Sequence, residues 1–452
     1  MASKTSGGQI HERRTASSLS STNLHSFTRA PTPPLFEELN PQELKWRERY
    51  AFLLDRGFSL RPRYRPGWKP SWVGSSLTHW DCEDSINHVN PTLLDAKRTK
   101  DGWVVCIKMI TKKSDEIEIA RYLSPTTSKP LEDPKNHSVP VLDFFRDPIS
   151  PDVNYLVMPL LRPFDDPEFV FVGEVVDFVT QILEGTEYMH RKLVAHCDLT
   201  GVNIMMDALP LFPRGWHFAS PSFAPDGIKI LKPRTRIDHP VRYYIIDYDC
   251  AVRFLPGQSP VIRGLGGRDD DPPELELPIP FDHFKLDVFT LGNVFRKDLR
   301  QKFIGLEFLD SLIQFMMTHD CNQRPTALVA LQYWYKVKAS LNVSMARWRL
   351  RKPDESVGDR VFHTVADGIV GLKSLFDGDY HILLYRHSTV RHGFPSALWN
   401  VDTATNSVQR YPNMHVLRPA KPPTAFHGDE TFLLLDSLDG DVDMVWRNCQ
   451  DR

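Results

Sequence analysis

The eight residues HCDLTGVN, His196 to Asn203, constrain this chain more than any other stretch. They follow a run in which Val175, Phe178, Val179, Ile182 and Leu183 recur at helical spacing, which predicts a helix from about 174 to 190, and they precede the apolar IMM. A polar loop between a buried helix and a strand is held at both ends. Asp198 and Asn203 stand five apart on it, so one loop can orient an acceptor hydroxyl and hold a metal ion. Those are the two tasks that phosphoryl transfer asks of a protein, because the reaction needs little covalent help.

Other pieces of the same chemistry lie in order along the chain. Upstream, VVCIK closes a strand-like segment with Lys108, and EIEIARYL offers Glu116, or alternatively Glu118, on a helix. Downstream, YYIIDYDCA places Asp247 after an apolar strand. Farther on come Glu274 in PPE, Asp287 in DVFTLG and Arg324 in NQRPT. Any one of these is a weak signal, since a lysine or aspartate at a strand end is usually a solvated terminus. The ordered set resembles the eukaryotic protein kinase family.

That resemblance implies roles. Asp198 accepts the proton of the acceptor hydroxyl, Asn203 and Asp247 bind Mg²⁺, Lys108 grips the phosphates of ATP, and Glu116 fixes Lys108. Glu116 is preferred to Glu118 because the leucine seven positions on gives the better register. His196 is structural, Glu274 pairs with Arg324, and Asp287 braces the loop through its backbone. Met158 falls at the gatekeeper position, with Leu160 and Leu161 at the hinge that meets adenine. For these three an ordinary core role serves equally well. The flanks, including RPRYRPGWKPSW, look like those of kinase-like proteins from mushroom-forming fungi.

Several companions of the pattern are missing. No Gly-rich loop precedes Lys108; Cys82 to Asn90 stands in its place. Thr200 replaces a phosphate-neutralising lysine, Cys197 replaces the arginine that reads a phosphorylated loop, and Asp249 replaces a glycine. Between Phe254 and Glu274 the sole hydroxyl residue is Ser259, which argues against switching by phosphorylation there. Asp269, Asp270 and Asp271 suggest a preference for basic peptides, although such a run is commonly a solvated turn.

The expected architecture is α+β and two-lobed: a small β-rich lobe with one helix, then a larger mainly helical lobe. A hairpin is predicted from TLLDAKR and GWVVCIKMI around Asp101-Gly102, and YLVMPLL reads as a strand. Residues 1–35 read as a disordered Ser/Thr/Pro-rich tail, with an organelle transit peptide the lesser alternative. Residues 36–90 form an extension pinned to the first lobe, 91–340 the kinase-like domain and 341–452 a β-rich appendage. A formal net charge of -2 gives no global field for nucleic acid or an anionic membrane. Six dispersed cysteines without a CxxC pair argue against a disulfide framework or zinc site and fit an intracellular protein, cytoplasmic or nuclear. No apolar run is long enough to span a bilayer.

Three functions fit this reading. The first is an ATP- and Mg²⁺-dependent protein kinase acting on Ser/Thr hydroxyls. The second is a pseudokinase, a binding or scaffolding module. The third is a small-molecule kinase of the choline or aminoglycoside type, toward which Asp247-Tyr248-Asp249 points and from which Glu274, Arg324 and DVFTLG point away.

Overall fold

Gly102 turns the hairpin that carries Lys108. It sits at φ +77°, a region open to glycine, and its N–H donates to the Arg98 carbonyl at 2.8 Å while Arg98 N–H donates to the Trp103 carbonyl at 2.7 Å. The flanking strands, β2 (Leu93–Arg98) and β3 (Val104–Ile110), pair with Leu93 opposite Lys108 and Asp95 opposite Cys106. The computed structural model describes residues 34–88, 90–111, 115–124, 133–264, 267–276 and 278–356, with four two-residue strands between 401 and 445.

The hairpin belongs to a five-stranded antiparallel sheet, with β1 (Phe58–Ser59), β4 (Asp143–Arg146) and β5 (Asn154–Pro159) in the order β1-β2-β3-β5-β4. Strand alternation divides its residues between two cores. Leu94, Ala96, Val105, Ile107, Tyr155 and Val157 face one core, which also buries Trp46, Leu53 and Tyr64. Cys106, Ile110, Leu156 and Met158 face the other, shared with the helix Glu116–Leu123 and the helical part of the chain. Residues 36–90 are thus more than an appendage, because Phe58–Ser59 is the edge strand of the sheet. Within this segment run two helices, Pro41–Glu48 and Tyr50–Asp55, broken at Arg49, whose guanidinium turns to Asp147 at 2.8 Å. In the Pro- and Trp-rich stretch, Arg63 is fully buried and forms a two-toothed pair with Glu43 at 2.8 and 3.0 Å.

The rest of the described fold is mainly helical, making the whole a mixed α+β structure. The helix Val172–Arg191 is its axis, with Val175, Phe178, Val179, Ile182 and Leu183 buried; each such side chain contributes about 1.5–3 kcal/mol. The helix Ala327–Ser340 crosses it and anchors Trp334, whose indole N–H donates to Thr180 at 2.9 Å. The helix His283–Val294 starts at Asp282, which accepts from Phe284 and Lys285 N–H. A smaller sheet orders Arg162–Pro163, Ile204–Asp207 and Arg242–Ile245.

The boundary expected at 340 lies farther on. Leu350 is buried and its N–H donates to Val170, while Arg351 accepts from Ile304. Positions 1–33 of the expected tail lie outside the described residues, as does most of the 341–452 appendage. A second unit, Gly393–Arg452, contains two short ladders, Val401–Asp402 with Ser407–Val408 and Leu433–Leu434 with Met444–Val445. Among the described residues no helix is long and apolar enough to cross a membrane.

Candidate active site

Strand β3 sends Lys108 from the face that also carries Cys106 and Asp95, because alternate residues share a face. The ammonium lies 2.5 Å from Glu116 Oε1 and 2.7 Å from Asp247 Oδ1. Glu116 opens its helix and is buried, whereas Glu118 is exposed. Burial raises the Glu116 carboxyl against the pull of Lys108. Burial works against the Lys108 charge too, but Glu116 and Asp247 together hold its pKa above the ordinary value. At Asp247 burial is outweighed by Lys108, and the carboxyl is lowered. The three groups form one desolvated charge cluster.

Asp287 holds the loop from below. It is fully buried, and its two oxygens accept the backbone N–H groups of His196 and Cys197 at 2.7 Å each. These bonds fix a bend at Cys197, which takes φ +65°, a conformation that a non-glycine residue adopts at a cost. Cys197 packs with Ala195, Phe254, Phe281 and Leu286, and burial pushes its thiol far up, so it is an apolar neighbour rather than a nucleophile. Above the bend, Asn203 Nδ2 donates to Asp198 Oδ2 and to the Asp198 carbonyl, both at 2.8 Å. His196 Nε2 lies 2.9 Å from the Ile246 carbonyl and Ile246 N–H donates to Asn203, tying the loop to the segment that carries Asp247 at φ +66°. Lys108, Glu116, Asp198, Asn203 and Asp247 therefore form one constellation.

A residue absent from the sequence reading also enters it. Arg268 N–H donates to Asp198 Oδ1 at 2.7 Å, and its guanidinium reaches Asn203 Oδ1 at 3.2 Å, Asp198 Oδ2 at 3.4 Å and Asp247 Oδ2 at 3.8 Å. Searching that segment for hydroxyl and acidic residues passes over it; the Gly267-Arg268 dipeptide just before the acidic run is the available signal.

The other end of the Lys108 face is filled. Met158 is opposite Cys106 and, like Leu161, is buried; Leu160 is partly so. Beside them Arg61 donates to Asp95 Oδ1 at 3.1 Å, Glu83 Oε1 at 3.1 Å and the Ile86 carbonyl at 3.3 Å. Glu83 Oε1 lies 3.0 Å from His217 Nε2, so the chain from 60 to 92 ties the sheet to the loop between Ile204–Asp207 and Arg242–Ile245. This segment, rather than Cys82 to Asn90 alone, connects β1 to β2. An acid in the middle of TLLDAKR was the sequence signal for Asp95.

Glu274 and Arg324 make a two-toothed buried pair at 2.6 and 2.8 Å. Asp269 and Asp271 are engaged at home, Asp269 with Lys297 at 3.3 Å and Asp271 with Arg296 at 2.8 Å and Lys297 at 2.9 Å. Their charge is therefore largely balanced within the chain. A groove of about 500 Å³ runs beside the loop, lined in part by Phe164, Thr200, Val202, Arg268, Asn293 and Lys297. Among the described residues no three His, Cys, Asp or Glu side chains gather as a metal cluster. Asn203 Oδ1 and the Asp247 carboxylate are nevertheless hard oxygen donors of the kind Mg²⁺ takes. Arg268 already brings a positive charge to both. Neither a protein-family model nor a curated protein matches this chain.

Proposed function

We propose that this chain is a two-lobed, protein kinase-like phosphotransferase that moves the γ-phosphoryl group of ATP to a Ser/Thr hydroxyl. The observation that carries the reading is Lys108 bridging Glu116 and Asp247 beside an Asp198–Asn203 loop that Asp287 braces. In this reading Lys108 holds the α and β phosphates and Glu116 keeps it extended. Asp198 takes the proton as the hydroxyl oxygen bonds to phosphorus, and the bond from phosphorus to the β-phosphate oxygen breaks to release ADP. Asn203 and Asp247 would hold Mg²⁺, which when bound neutralises phosphate charge. The Glu274–Arg324 pair favours a protein kinase over a small-molecule kinase.

One observation favours a non-catalytic binding module. Arg61, buried against Asp95, occupies the sheet face where the resemblance would place the adenine. Incubation with radiolabelled ATP and a mixture of casein, histone and basic peptides separates the two readings, with Asp198→Asn as control. Label on serine or threonine that the variant fails to transfer is the expected result. Equal labelling by both chains would return the molecule to the binding-module reading.

A further inference from the structure

Beyond the residues that would perform transfer, the cleft carries a cation of its own. The Arg268 N–H takes Asp198 Oδ1 and the Asn203 amide takes Asp198 Oδ2, so both oxygens of the carboxylate have donors. The backbone there lies so close that a methyl group added at Gly267 would stand 2.2 Å from Asp198 Oδ1. An acceptor hydroxyl must approach that same oxygen. The guanidinium shares Asn203 Oδ1 and Asp247 Oδ2, the two donors a metal would need, at 3.2 and 3.8 Å. Thr200, neutral where the resemblance puts a lysine, lines the same groove and leaves no cation on the loop to repel the arginine.

We propose that Gly267 and Arg268 form a built-in plug of the phosphotransfer site, the backbone standing in the acceptor's place and the guanidinium serving as counter-ion in the metal's place. The plug is built to leave. The Arg268 side chain is 58% exposed, and its carboxylate contacts are single and long, unlike a buried two-toothed pair. Metal and acceptor enter when the 267–268 segment swings out, and the charge of Arg268 sets how readily they do so. This inference rests on the phosphotransfer reading of the same residues.

The test is Mn²⁺ binding to the full chain, read from the paramagnetic resonance of the free ion, first alone and then with ATP. Arg268→Gln is expected to bind Mn²⁺ about tenfold more tightly than the unaltered chain, because a positive charge has left a site of two carboxylates, Asp198 and Asp247, and the Asn203 amide. Arg268→Lys should stay near the unaltered value. Gly267→Ala, whose methyl forces the segment off Asp198, should move in the same direction as Arg268→Gln. Affinities in Arg268→Gln and Gly267→Ala no tighter than in the unaltered chain overturn the plug, while Mn²⁺ binding with ATP leaves the phosphotransfer reading standing. Tighter Mn²⁺ in the variants with no response to ATP supports the plug and removes the ATP reading. Failure of every chain to bind Mn²⁺ overturns both.

Discussion

Two arginines meet carboxylates in this molecule in opposite ways. Arg324 is buried and locked to Glu274 by two hydrogen bonds, with the Lys285 and Thr318 carbonyls taking further donors and the Phe289 ring beneath it. Arg268 is mostly exposed and touches three groups loosely, none of its guanidinium contacts closer than 3.2 Å. A buried pair whose guanidinium makes four hydrogen bonds is architecture, since losing one partner strands a charge in a low dielectric. An exposed, single-contact pair in a cleft is exchangeable, because water can replace it at little cost.

The contrast can be broken by substitution. Arg324→Ala should cost about 3–5 kcal/mol in a denaturant titration, leaving Glu274 buried and unpaired; a loss below about 1 kcal/mol would put the pair among surface contacts. Asp287→Ala, which strands the His196 and Cys197 amides, should cost about 2–3 kcal/mol. It should also abolish any transfer activity, and retained activity would mean that the loop holds its shape unaided.

A third carboxylate sharpens the point that burial needs a cation. Asp177 takes its hydrogen bond from the neutral Gln181 amide, and burial lifts its carboxyl to about 6. A carboxyl raised in the folded state contributes its stability when protonated, below about pH 4, and that contribution is lost as pH rises through about 6. Asp177→Asn should therefore gain about 2 kcal/mol relative to the unaltered chain on going from pH 4 to pH 7. A gain that is the same at both pH values would assign the effect to packing. Arg268→Gln should have the smallest effect, within about 0.5 kcal/mol, despite removing the same side-chain type as Arg324→Ala. A melt that loses several kcal/mol would show Arg268 to be architecture as well.

Legibility in the sequence followed the same division. The axial helix, the Gly102 hairpin and the order of the chemical residues were readable because each depends on local spacing or local turn chemistry. Lys108 with Glu116 and Glu274 with Arg324 meet as the motif order implied. Arg61 beside Asp95 and Arg268 beside Asp198 were not readable. Those contacts join segments far apart in the chain, and an arginine in a Pro-rich stretch or a Gly-rich loop has the same local signature whether it is solvated or folded inward. Edge strand Phe58–Ser59 was missed for a similar reason: two residues carry no periodicity, and its partner lies beyond the long connection from 60 to 92. The acidic run could be read, but its engagement with Arg296 and Lys297 could not.

The central claim is that Lys108, Asn203 and Asp247 form a working site for metal and nucleotide, and a thermal-shift titration with ATP tests it most directly. The unaltered chain and Asp247→Asn are compared with and without Mg²⁺, since a ligand that binds the folded state alone must raise the melting temperature by mass action. The account predicts a Mg²⁺-dependent rise that disappears in Asp247→Asn. No rise at millimolar ATP in the unaltered chain would contradict it.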